Sequence, residues 1–92
     1  MVLSRGDRAG PVASERLKNI GISFAERGEY GRATDAWIAA TYAYPEDERS
    51  LGLLEDLLEE RPDLERDTPG LGPAVEECRL LVRLAGGRSW EP

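Results

Sequence analysis

The sequence predicts an all-α fold of about four helices, spanning roughly 14–27, 31–43, 46–61 and 73–85. Three observations carry this. Leu17, Ile20, Gly21 and Phe24 fall at i, i+3, i+4 and i+7, one face of a 3.6-residue helix. Glycines and prolines stand between the periodic stretches, at Gly28, Pro45, Pro62 and Gly86-Gly87, where helices end. The large apolar positions also return: Leu51, Leu54 and Leu58 follow Leu17, Ile20 and Phe24 at a period of about 34 residues.

The first helix takes Ser14 as its N-cap, with Glu15 in the first turn favouring the macrodipole. Gly28 supplies the positive φ that a helix C-terminus favours. The second helix presents Tyr30, Ala33, Trp37 and Ala40 on one face and closes at Pro45. Gly21 and Ala33 remove bulk where these two helices cross, and Phe24, Tyr30 and Trp37 fill the space around the crossing.

The third helix turns Leu51, Leu54, Leu57 and Leu58 inward and leaves Asp56, Glu59 and Glu60 outside, stopping before Pro62. Glu55 stands one period after Gly21, so this unit cannot repeat the close crossing of the first. The stretch 62–73 is a long connection that Leu64 and Leu71 pin to the core. Pro73 then suits the first position of a fourth helix, whose apolar face is Ala74, Cys78, Leu81, Val82 and Ala85. Residues 1–12 read as a flexible N-terminal tail, 13–86 as the helical domain and 87–92 as a C-terminal tail.

Leu17-x2-Ile20-Gly21-x2-Phe24, then Ala33-x3-Trp37, then Pro45 resembles the tetratricopeptide repeat (TPR). The stretch Ser14–Pro45 is similar to one good repeat, and the remainder to a degenerate second one with an expanded turn. The resemblance implies TPR-like helix-turn-helix hairpins and a ligand groove lined by the first helix of each unit. Groove positions would be Glu15, Lys18, Ile22 and Ala25, then Arg49, Gly52, Asp56 and Glu59. Members that grip a C-terminal carboxylate use a clamp of Lys, Asn and Arg. Here only Lys18 matches it, and Ile22 stands where the clamp wants Asn. The recognition residues expected on this basis are Lys18, Ile22, Arg49, Asp56 and Glu59, with Phe24, Tyr30 and Trp37 as scaffold. Trp90 is added as either a cover for the last helix or a docking side chain for a partner.

The chain has 92 residues, 40% of them hydrophobic, with a formal charge of −6. That allows one small domain. It argues against a nucleic-acid groove or an anionic membrane surface, both of which need clustered basic residues. Lys18 is the only lysine among twelve basic residues, a codon-usage sign of a GC-rich bacterial genome. There is no transmembrane run and no apolar signal segment. A single cysteine makes a reducing, cytoplasmic setting the simplest reading.

Histidine is absent, and with it the commonest general base at neutral pH. No phosphate-cradling loop or metal-ligand spacing occurs, so neither an enzyme nor a cofactor is expected. Cys78 reads as a buried core thiol. The stretch 46–67 sets ten acidic residues against three arginines, a balance of −7. The functional expectation is an interaction module, a small adaptor or accessory subunit binding a protein or peptide with basic and apolar residues. About three repeats are usually needed for a stable stack, so self-association in a homo-oligomer or an obligate complex is expected to cover the leftover apolar surface. Two alternatives stand beside it: a structural building block of a homo-oligomer, and an acidic inhibitor that imitates nucleic acid for a DNA-binding protein.

Overall fold

In the computed structural model the backbone of residues 2–89 and the side chains of residues 10–86 are described. Five helices follow one another: α1 (Val2–Glu26), α2 (Tyr30–Ala43), α3 (Arg49–Glu60), α4 (Asp63–Asp67) and α5 (Leu71–Ser89). The described residues contain no strand, so the all-α expectation stands at that level. The expected spans of α2, α3 and α5 differ from the observed ones mainly at their ends.

Three boundaries need correction, the last of them at α5, which runs on through Gly86-Gly87, expected to end it, to Ser89. α1 starts at Val2 rather than at Ser14 and continues through Pro11. A proline inside a helix removes one donor and crowds one carbonyl, which tilts a helix without having to end it. Ser14 is therefore no cap: it lies within α1, almost fully buried, and its Oγ has no hydrogen-bond partner. The connection 62–73 also holds an extra short helix, α4, entered through Pro62 at φ −63. Gly70, at φ +89, turns the chain into α5, so Pro73 is the third residue of that helix rather than its first. In the first turn its missing N–H has no intrahelical acceptor to lose.

α2 is the hub, packing on α1, α3 and α5. It manages this with small side chains: Ala33, Thr34, Ala36, Ala40 and Thr41 are buried together with Trp37. The two threonine hydroxyls donate to Gly31 O at 2.8 Å and Trp37 O at 2.9 Å, so their burial leaves no polar group unmatched. The core then runs through Leu51, Leu54, Leu57 and Leu58 of α3 to Leu71, Val75 and Cys78 of α5. Leu64 is half-buried against it, as expected of a residue pinning the connection.

Gly21 governs the α1–α2 crossing. A Cβ built there would come within 2.7 Å of Trp37 Cδ1 and 2.9 Å of Cε2. The indole reaches past this gap, and Nε1 donates to Lys18 O at 3.1 Å. This contact sets the rotation of α1 about its axis. Ser14 and Gly21 face inward, whereas Ile20, expected on the inner face, is 45% exposed.

Candidate functional site

Between α1 and α3 lies an open groove of about 330 Å³. α1 contributes Ile22, Ala25 and Glu26, and α3 contributes Leu53, Asp56, Leu57 and Glu60. Trp37 of α2 forms the floor and Tyr30 also lines it. The spacing explains the division of labour on α3. Leu53, Asp56, Leu57 and Glu60 stand at i, i+3, i+4 and i+7 on one face, and Leu51, Leu54 and Leu58 on the adjoining face enter the core. An amphipathic helix that buries part of its leucines and shows the rest along a second stripe leaves such a trough.

The rim is acidic. Glu26, Asp56 and Glu60 have no ion pair or side-chain hydrogen bond among the described residues. The neighbouring arginines are matched. Arg61 pairs with Asp63 at 3.3 Å and lies over the Tyr30 ring at 5.0 Å, and Arg27 and Arg32 each lie 5.8 Å from the Phe24 ring centroid. The guanidinium of Arg61 holds the Asp63 carboxyl below its ordinary range.

A separate ion-pair cluster lies beside the groove and joins α1 to the start of α3. Glu15 accepts from Lys18 at 3.2 Å and from Arg49 at 2.8 Å, and Arg49 also donates to Asp47 at 2.7 and 2.9 Å. Glu15 is held below the usual carboxylate range by Lys18 first and Arg49 second, and Asp47 by Arg49. The Lys18 side chain is only 13% exposed.

The expected recognition residues therefore divide. Ile22 and Asp56 line the groove together with Ala25. Lys18 and Arg49 are brought together by Glu15, 34 positions from Arg49, and spend their charge there. Glu59 is exposed on α3 but does not line the groove. Trp90 lies outside the described residues. Glu26, Leu53 and Glu60 line the trough without having been expected there; their signal was the apolar-acidic stripe on α3 and its counterpart one turn beyond Ile22 on α1. Of the three residues expected as scaffold, Phe24 packs half-buried against the core, whereas Tyr30 and Trp37 pack there and also line the groove.

Elsewhere, Tyr42 of α2 donates its hydroxyl to Glu77 Oε1 of α5 at 2.5 Å, and this bond pushes the phenol up to about 12. Glu55 meets Arg79 of α5 at 2.6 Å, so the position one period after Gly21 is a solvent-edged ion pair instead of a close crossing. Cys78 is fully buried, and burial raises its thiol above the ordinary value. Among the described residues no cluster of His, Cys, Asp and Glu could hold a metal ion, and no helix is long and apolar enough to cross a membrane. No protein-family model, curated protein or solved structure matches the chain.

Proposed function

We propose that the chain is a non-enzymatic interaction module, an adaptor or accessory subunit, that takes a segment of another protein into the α1–α3 groove. One observation carries the reading: an apolar trough floored by Trp37 and Leu57 is rimmed by three carboxylates that lack counter-charges among the described residues. An apolar side chain desolvates the trough, and a lysine or arginine beside it meets Glu26, Asp56 and Glu60. The resemblance to the TPR supports the same location, since Ile22, Ala25 and Asp56 are groove positions in that reading. The single buried thiol fits a reducing, cytoplasmic setting. The nucleic-acid-mimic alternative has less support, because Asp47, Glu55, Asp63 and Asp67 of the acidic stretch already face arginines.

The test is an NMR titration of the isotopically labelled full chain with an amphipathic helical peptide carrying lysines, and with the same peptide carrying glutamates. Shifts at Ile22, Ala25, Leu53 and Asp56 with the basic peptide alone are expected. They are expected to vanish in the Asp56→Lys, Glu60→Lys double variant. Equal response to both peptides, or shifts confined to other faces, would rule the reading out.

A further inference from the structure

α5 buries Leu71, Val75 and Cys78 on one side. Its other side is patterned too. At about 100° per residue, Pro73, Glu76, Glu77, Leu80, Arg83 and Leu84 fall within about 60° of Leu80. All six are exposed, Leu80 by 48% and Leu84 by 62%, and these two leucines stand at i and i+4. These two leucines adjoin on one open stripe rather than standing singly.

The charges along the stripe say what fits it. The acidic pair Glu76 and Glu77 precedes Leu80, and Arg83 follows it. Arg83 has no ion pair among the described residues. Glu76 touches Arg79 at 2.8 Å, yet its side chain is 72% exposed, and Arg79 is shared with Glu55. A parallel copy would set like charges side by side. An antiparallel copy related by a two-fold axis at Leu80 reverses the order, so acid meets base at both ends of one edge, while on the other edge Glu77 comes opposite Leu84. Under that axis a residue keeps its edge of the stripe and exchanges its end. Glu76 and Arg83 share one edge, on opposite sides of Leu80, so each meets the other's counterpart.

We infer that the outer face of α5 is a homodimer interface, in which two copies pair antiparallel with Leu80 at the two-fold axis and Glu76 opposite Arg83 twice. One helix face offers less area than the roughly 800 Å² per partner of a standard interface, so the dimer is a weak, concentration-dependent one. The face is separate from the α1–α3 groove and shares no residue with it.

Sedimentation equilibrium of the full chain from about 10 μM to about 1 mM tests this. A monomer–dimer equilibrium is expected, abolished by Leu80→Glu, with far-UV circular dichroism showing that this exposed substitution leaves the helices intact. Glu76→Arg and Arg83→Glu are each expected to raise the Kd about tenfold, and the double exchange E76R/R83E to restore it. A monomer up to about 1 mM, or a dimer that survives Leu80→Glu, would overturn the interface. Failure of the double exchange to rescue the single ones would overturn the antiparallel pairing. None of these results bears on the peptide titration at the groove.

Discussion

Trp37 occupies the space that a side chain on Gly21 would need, and its Nε1 donates to the carbonyl of Lys18 at 3.1 Å. Gly21→Ala is expected to destabilise the protein although alanine is the better helix former. Overpacking costs about 1–3 kcal/mol, and the propensity gain returns about 1 kcal/mol. A net loss of up to about 2 kcal/mol by urea unfolding would bear this out. Unchanged or raised stability would show that the indole has room to retreat.

Two other glycines separate backbone strain from space. A Cβ on Gly28 or on Gly52 would meet nothing within 4 Å, but Gly28 sits at φ +81 and Gly52 lies inside α3. Gly28→Ala is expected to cost about 1 kcal/mol, and Gly52→Ala to add about 0.5–1 kcal/mol. Thermal unfolding of the two variants side by side checks the opposite signs.

Acid stability depends on the Glu15–Arg49–Asp47 cluster. Both carboxyls are held below their ordinary values of 4.5 and 3.8 by Lys18 and Arg49. A depressed folded pKa gives stability that is present above the unfolded pKa and lost as pH falls through the folded one. Stability is therefore expected to fall as pH drops from about 4.5 to below 3.8. Arg49→Met is expected to flatten that part of a urea-unfolding profile, leaving pH 6 to pH 8 parallel to the parent. A profile with the same acid slope in both proteins would contradict the assignment.

Much of the helical order was legible because it rests on local rules. The Leu51, Leu54, Leu57 and Leu58 face, the Gly28 turn and the closeness of Gly21 to the second helix all follow from periodicity and side-chain size. The errors arose where a tertiary contact overrode a local signal. Residues 1–12 read as a tail, yet α1 passes through Pro11, and Gly10 brings that segment close to Ala43 O, within 3.0 Å of where its Cβ would be. Ile20 had the right spacing for the core, but the Trp37 contact rotates it outward. At the site, Ile22 and Asp56 were legible as face positions. The fate of Lys18 and Arg49 was not, because Glu15 reaches Arg49 across 34 positions of sequence. Glu55 was legible as a misfit for a close crossing, though not as the partner of Arg79.

The smallness of α2 has a consequence for how the chain folds. Its alanines and threonines lie within reach of α1 before it and α3 after it, so the earliest contacts join neighbours in sequence and cost little loop-closure entropy. α5 returns from farther along the chain, laying Val75 and Cys78 onto the surface made by α2 and α3. The docking of α5 is thus expected to come last in folding, and the ion pair of Arg79 with Glu55 and the bond of Tyr42 to Glu77 to form with it.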